Sequence, residues 1–400
     1  MPIRPLDGIF VLDLSRVLSG PFATLQLADL GADVVKVEHP EDGDDTRRFG
    51  PPFINGESTY FMSVNRHKRS IAVDLKHPEG LELVRALVAH ADVVIENFRP
   101  GAAARLGLGP EALRAINPRV ITCSISGYGT GGLAAYEGRA GYDAVVQAGS
   151  GIMSITGQPD GPPTRVGVAI ADLVSGLFAA QGILAALVER DRTGESRHVD
   201  VAMQDAMISL MTYQAAIQLS TGVTPRRMGD AHPSICPYET VEVADGRYML
   251  AVGNDGQFRK LAKLLALDPI AADPRFETNA ARVTNREALL EILRPKLKER
   301  TAAAWDEVFA ETGIPGGPVL DVAQALSHPQ YVARGGVLEH EHRVAGRIRT
   351  LASPVRLDRE WPIGGTPPPT LGQHTREVLL EKLGITSEQV DELTKRGAVR

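Results

Sequence analysis

The chain has 400 residues, of which 43 are basic and 49 acidic, a net charge of −6. That balance disfavours nucleic acid and anionic membranes as main partners, while local cationic clusters remain free to hold a small anion. The 43% hydrophobic and 23% charged content is that of a soluble globular protein, longer than one ordinary domain.

The elements follow in chain order. Ile9 to Leu14 is a short apolar run, read as a buried strand. A helix from about Phe22 to Leu30 follows, closed by Gly31, and Val34 to Val37 is the next strand. This βαβ unit implies a parallel sheet covered by helices. Its turn lacks the G-x-G-x-x-G fingerprint, so a nicotinamide oxidoreductase is not supported. Pro40 to Pro52 is a polar, turn-rich surface loop. Strands at Ser70–Leu75, Asp92–Glu96 and Val120–Ile125 alternate with helices at Pro78–His90 and Pro110–Ile116, the rhythm of a doubly wound sheet.

A glycine-rich connection spans Ser126 to Arg139, and Ala144 to Ser154 is expected to be helical. Val166 to Ile170 then leads to Asp172, and an apolar helix runs from Leu173 to Val188, ended by Gly194. Asp172 is the one acid at the mouth of that helix, where an aspartate ordinarily serves as N-cap. His198 to Met203 reads as a buried strand and Ala202 to Ser220 as a long helix. A hairpin around Asp245-Gly246, then helices at Gln257–Leu265, Arg286–Lys298 and Ala302–Glu311, form a small α+β domain. Ile314 to Val319 reads as a return linker, Gly346 to Ser353 as a strand and Trp361 to Pro369 as a Pro/Gly-rich arm. A helix at Thr375–Leu383 and a short one from Ser387 close the chain. The domains expected are therefore 1–222, 223–320 and 321–400, the last returning to the first.

Cys123 and Cys236 have neither zinc-type nor redox-motif spacing, so no disulfide framework is expected. No apolar leader and no charge-free run of membrane length is apparent, which makes the cytoplasm the expected compartment. Glu339-His340-Glu341-His342 places two histidines on one strand face. With no third ligand in view it is read as a solvated edge, not a metal site.

Several segments carry a resemblance in order and spacing. They are LDGIFVLDLSRVLSGPFAT, GADVVKVEHPEDGDDTRRFGPPF, NRHKRSIAVDLK, ENFRPGAAARLGL, AGYDAVVQAGSGIMSITG, GVAIADLVSG, MQDAM and LGQHT. Together the chain resembles the class III coenzyme A transferases, the family that includes formyl-CoA transferase. GDDTRRFGPPF, ESTYF and RAGYDAVV look most like its succinyl-CoA:glutarate branch. The resemblance implies an α/β fold: a Rossmann-like large domain built from both chain ends, a small α+β domain, and an interlocked homodimer.

It also implies a reaction. Asp172 would be the nucleophile, attacking an acyl-CoA thioester and then carrying CoA as an aspartyl thioester. CoA would pass from succinyl-CoA to a dicarboxylic acid such as glutarate, with acyl-CoA as substrate and no permanently bound cofactor or metal. A carboxylate is ionised at neutral pH and needs no activating base. The matching CoA-binding positions are Arg16, Val17, His39, Val73, Lys76, Asn97, Phe98, Arg105 and Arg139. Leu18, Tyr60 and Tyr142 match the acyl pocket. His39 stands where formyl-CoA transferase has arginine; Leu18 stands where it has glutamine, and this second departure argues against oxalate or formate. The glycine-only loop of that enzyme is absent, and Ala231 to Pro237 is the candidate loop facing the acyl group.

Two other functions compete. A 2-methylacyl-CoA racemase of the same fold needs a base and an acid flanking the α-carbon. The family's racemases carry His-Asp where this chain has Tyr142-Asp143, so one proton carrier is missing. A non-catalytic CoA-binding protein would have no need of Asp172.

Overall fold

The computed structural model describes residues 4–358 and 365–400. Part of the expected arm, residues 361–364, lies outside them. The chain divides into two compact units.

The first unit comprises Met1–Ile152, Arg165–Gly222 and Val332–Arg400. Its β-branched runs form six strands: β1 (Phe10–Asp13), β2 (Asp33–Glu38), β3 (Lys68–Ala72), β4 (Val93–Glu96), β5 (Ile121–Ser126) and β6 (His198–Ala202). All pair in parallel, in the order β3-β2-β1-β4-β5-β6, that of a doubly wound sheet. Such a sheet is apolar on both faces because helices cover both.

Strand alternation assigns the residues to the two sides. Val11, Val93, Ile95, Ile121 and Cys123 point to one side, into a core completed by helices α1 (Ser19–Asp29) and α5 (Ile170–Thr193). Phe10, Leu12, Val35, Ile71 and Val94 point to the other, against α3 (Pro78–Val88), α11 (Thr375–Leu383) and α12 (Ser387–Lys395). The helices between include α2 (Thr59–Val64), α4 (Asp143–Gly149), α6 (Met203–Ser209) and α7 (Thr212–Thr221), with α8 to α10 in the second unit.

Helix α5 has 24 residues and contains an 18-residue stretch with a mean hydropathy of 1.8, enough by length and composition to cross a membrane. Its small residues explain that composition differently. Ala171, Ala179, Ala180 and Ile183 are buried in the sheet-facing core. At Gly176 an added Cβ would lie 2.6 Å from Ser19 O, so glycine lets α5 rest directly on α1.

The second unit comprises Met153–Thr164 and Val223–Tyr331. Its antiparallel sheet has β7 (Tyr238–Val243), β8 (Gly246–Ala251) and β9 (Gly316–Pro318), with β8 central. Helices α8 (Asp255–Leu264), α9 (Arg286–Leu297) and α10 (Ala302–Thr312) bury Phe258, Leu289, Leu293, Trp305 and Phe309 against it. The loop of residues 231–237 is tied down from below. Arg286 donates to His232 O (2.6 Å) and Ile235 O (3.0 Å), and Arg282 to Cys236 O (2.8 Å).

Several expectations are corrected. Residues 314–319 are not a plain linker, because Gly316–Pro318 pairs with β8. The helix expected over Ala202–Ser220 breaks into α6 and α7, where Thr212 adopts φ 33°. The strand at His198 is the sheet edge, with Asp200 exposed. The Glu339–His342 strand, β10 (Val337–His342), pairs with β11 (Gly346–Leu351), and its histidines are buried, not solvated. His340 bonds Thr350 Oγ1 at 2.8 Å, and His342 Nδ1 accepts from Ala345 N at 2.9 Å. Both imidazoles thus serve the packing of a hairpin, and no cluster of three or more metal-type ligands occurs among the described residues.

Candidate active site

In an open parallel sheet the ligand crevice lies beyond the carboxyl ends of the strands, where the order reverses. Here that point falls between β1 and β4. The Ser15–Val17 turn leaves β1 there, Asn97 to Arg99 leave β4, and Gly127 follows β5.

Two cavities open around these ends. The first has a volume of ≈ 180 Å³ and is lined by Val17, Ser19, Asn97, Phe98, Arg99, Gly127, Arg139, Gly141, Tyr142, Asp143 and Asp172, among others. Its wall depends on two glycines. A Cβ on Gly127 would lie 2.5 Å from Gly141 Cα, and one on Gly141 2.1 Å from Gly127 Cα, so only glycines let these two backbones touch. The second cavity, of ≈ 290 Å³, is lined by Arg16, His39, Val73, Lys76, Phe98, Arg99, Arg105 and neighbours. Phe98 and Arg99 belong to both linings.

Asp172 is not the N-cap. Helix α5 begins at Ile170 with Ala169 as its cap residue, so Asp172 is the third helical residue. The capping bond comes from a different element. Asp143, at the start of α4, accepts from Ala171 N at 2.9 Å and from Gln147 Nε2 at 2.8 Å. Gln147 in turn accepts from Val166 N at 2.9 Å, which fixes the segment leading into α5. With the helix start satisfied from outside, the Asp172 carboxyl is left over to face the cavity. Burial and then the charge of Asp143 push its pKa up to about 7. The helix N-terminus opposes that shift by favouring the ionised form.

The turn after β1 is held from several directions. Asn97 accepts from Arg16 N at 2.8 Å and donates to Arg16 O at 2.7 Å. Lys36 Nζ donates to Ser15 O at 2.8 Å, and Asp13 accepts from Ser15 N at 2.9 Å. Val17 adopts φ 66°. That left-handed conformation costs a β-branched residue roughly 1–3 kcal/mol and persists only where surroundings enforce it.

The expected residues divide among these surroundings. Asp172, Val17, Asn97, Arg139 and Tyr142 line the first cavity, Arg16, His39, Val73, Lys76 and Arg105 the second, and Phe98 both. Arg139 also stacks its guanidinium 4.1 Å from the Tyr136 ring centre. Leu18 lines neither cavity; it is buried with Leu25 and Val64. Tyr60 packs against that cluster, 5.4 Å from the Phe49 ring centre. Burial first, then the charges of Asp172, Asp143 and Asp44, raise its phenol pKa, so it stands within electrostatic reach of Asp172. Sequence reasoning missed Arg99, Asp143 and the Lys36–Asp44 pair. Lys36 had left a signal: a charged residue in the middle of a buried strand, DVVKVE.

A half-buried carboxylate facing a cleft can act as nucleophile, acid or base. The second cavity carries the cations Arg16, Lys76, Arg99 and Arg105, with His39 beside them and the carboxylates of Glu38 and Asp74 also in its lining, a set whose surplus of positive charge suits phosphate oxygens.

Comparison with known proteins narrows this chemistry. Residues 6–375 match the family CoA-transferase family III. The chain is 43% identical over 397 residues to succinyl-CoA:glutarate CoA-transferase of Mus musculus, covering 99% of this chain and 91% of that protein. It is 44% identical over 389 residues to succinate–glutarate CoA-transferase of Agrobacterium fabrum, covering 95% and 97%. The crystal structure of a CAIB/BAIF family protein from Brucella suis superposes with a TM-score of 0.83 at 44% identity, covering 96% of this chain and all of that one.

Proposed function

The chain belongs to CoA-transferase family III, and from that premise we propose that it moves CoA from succinyl-CoA to a dicarboxylic acid such as glutarate, with Asp172 as covalent carrier. The observation that carries this reading is the placement of Asp172 in a cavity whose Phe98–Arg99 edge is shared with a second, cation-lined cavity. A thioester carbonyl in the first would place the phosphates of its CoA toward the second.

A carboxylate oxygen of Asp172 attacks the thioester carbonyl. The C–S bond breaks, giving a mixed anhydride and CoA thiolate. The thiolate attacks the aspartyl carbonyl, the donor acid departs as carboxylate, and an aspartyl-CoA thioester remains. The acceptor carboxylate attacks that carbonyl and expels the thiolate, which attacks the new acyl carbonyl and frees Asp172. Every step exchanges one acyl bond for another, so the thioester's free energy is retained and no ATP is required.

The CoA-binding roles follow from chemistry and position. Arg16, Lys76, Arg99 and Arg105 supply charge for the phosphates, with His39 beside them; Val73 and Phe98 offer apolar surface, and Asn97 sets the Arg16 backbone. Arg139 and Tyr142 stand with Asp172 on the first cavity, and Tyr60 and Leu18 form the apolar packing nearby. The large domain is assigned to both chain ends and the small one to the middle. A second copy of the chain is the proposed cover for Leu177, Phe178 and Val188 of α5 and Tyr213 and Leu219 of α7, which are exposed in the single chain. The cytoplasm is the proposed compartment.

The test is direct. Asp172→Ala should abolish exchange while CoA still binds, and acyl-CoA alone should leave a CoA adduct on the Asp172 peptide of the unsubstituted protein. Unchanged turnover in the variant would end the proposal. A panel of short mono- and dicarboxylic acids with succinyl-CoA tests the acceptor: transfer confined to monocarboxylates would refute the dicarboxylate assignment.

A further inference from the structure

Beneath the Ser15–Val17 turn lies a buried charge network that the chemistry above leaves unused. Lys36 Nζ and Asp44 Oδ2 are 2.9 Å apart with side chains 1% and 0% exposed. Lys36 also lies near Asp13, which Lys68 approaches from the other side. The Asp44 carboxylate accepts from Val17 N, with both oxygens at 3.2 Å, and Oδ1 also accepts from Thr46 N (2.9 Å) and Thr46 Oγ1 (2.7 Å). Burial acts to raise the Asp44 pKa, yet the ammonium of Lys36 and the Thr46 bonds carry it down to about 2. The group therefore stays an acceptor at any ordinary pH.

A buried ion pair is a poor source of stability, because desolvating two charges offsets most of their attraction. A pair kept in such a place is better explained by what it holds. Here it holds the one non-glycine residue lining the first cavity whose φ is positive, Val17 at φ 66°. Without an acceptor at Asp44, valine returns to the extended or right-handed region that a branched Cβ prefers. That rotation would move Val17 off the first cavity and swing Arg16, its neighbour, off the second.

We propose that Asp44, held in place by Lys36, is the positioning residue that locks Val17 in its left-handed conformation and so sets Val17 and Arg16 against their two cavities. This rests on the CoA-transferase reading of those cavities and adds to it a residue that touches no substrate.

The test compares two variants that both lack the Lys36–Asp44 charge pair. Lys36→Met/Asp44→Asn retains an amide oxygen that can accept from Val17 N; Lys36→Met/Asp44→Leu does not. Dissociation constants for free CoA are measured by calorimetry, with circular dichroism and melting checked for each protein. The Asn variant should bind CoA at least about tenfold more tightly than the Leu variant. The same comparison in a Val17→Gly background should shrink to less than about threefold, because glycine adopts positive φ without help. A purely structural role for Asp44 would leave the difference equal in both backgrounds, and that result would overturn the proposal, as would CoA affinities within threefold in the Val17 background. If the Leu variant does not fold, Asp44→Ala and Asp44→Asn in the Lys36→Met background replace the pair under the same criteria. Failure of the unsubstituted protein to bind CoA overturns the functional reading and this proposal together. CoA binding with indistinguishable variants overturns the proposal alone.

Discussion

Replacing Asp172 by asparagine should stabilise the protein, and by more at alkaline than at acid pH. Burial and the neighbouring Asp143 hold the Asp172 carboxyl at a pKa of about 7, against an ordinary value of 3.8. The folded state therefore binds this proton more tightly than the unfolded chain does. The stabilisation is complete below the unfolded value and is lost as pH rises toward 7. About three pH units at roughly 1.4 kcal/mol each set an upper bound of about 4 kcal/mol on the total. Between pH 5.5 and 8.5 about 2 kcal/mol of it is lost. Asparagine has the same shape and no charge, so the stability gap between variant and parent should widen by that amount. For a chain of this length the corresponding change in melting temperature is about 2 °C, after the parent's own pH dependence is subtracted. Differential scanning calorimetry of both proteins at matched ionic strength reads it. A gap independent of pH would refute the reasoning, because it would mean that the cavity leaves Asp172 as well solvated as the unfolded chain does.

Three further outcomes follow. The rate of CoA exchange should fall on the acid side with a midpoint near pH 7, where Asp172 takes up its proton, and Asp143→Asn should move that limb to lower pH without returning it to 3.8, since burial, the larger cause, remains; an unmoved limb would remove Asp143 from the electrostatics of the site. Ile183→Ala, which empties a fully buried position of the sheet-facing core, should cost about 2–5 kcal/mol in denaturant unfolding with the position of the acid limb unchanged.

Much of the first unit was legible because a doubly wound sheet leaves strong marks: short apolar runs alternating with helices, some of them closed by a glycine. Gly31 and Gly194 end their helices at φ 99° and 78°, where only glycine is at ease. The errors fall where a tertiary partner outweighs a local rule. Asp172 looked like an N-cap because aspartate is one of the best caps, but Asp143 from another helix already serves Ala171 N, and α5 starts two residues before Asp172. Leu18 aligned with a pocket residue, yet the start of α1 turns it into the apolar cluster of Leu25 and Val64. The histidines of β10 read as solvated because alternation tells which residues share a face and not which face is covered. Asp44 lay within GDDT, a motif the resemblance used only as a match. Its bond to Val17 joins residues 27 apart and could not be seen without the fold.

The elevated pKa of Asp172 also bears on how the reaction divides its free energy. Desolvation and the charge of Asp143 act only against the free carboxylate, because the mixed anhydride and the aspartyl thioester are neutral at that carbon. The same environment that makes the ionised residue costly therefore favours its acylated states, by up to the ~4 kcal/mol found above. Loading is helped and unloading hindered, so the term cannot grow without trapping CoA on the enzyme. Two features restrain it. Asp172 sits in the first turn of α5, where the helix N-terminus favours negative charge, and it faces an open cavity. Had Asp172 been the buried cap that its sequence suggested, its carboxyl would have been consumed by backbone amides, with a low pKa and little reason to attack a thioester. Delegating the cap to Asp143 removes those bonds and adds a repelling charge in the same substitution of roles, so the distinction between a structural and a reactive aspartate here rests on the single hydrogen bond from Ala171 N.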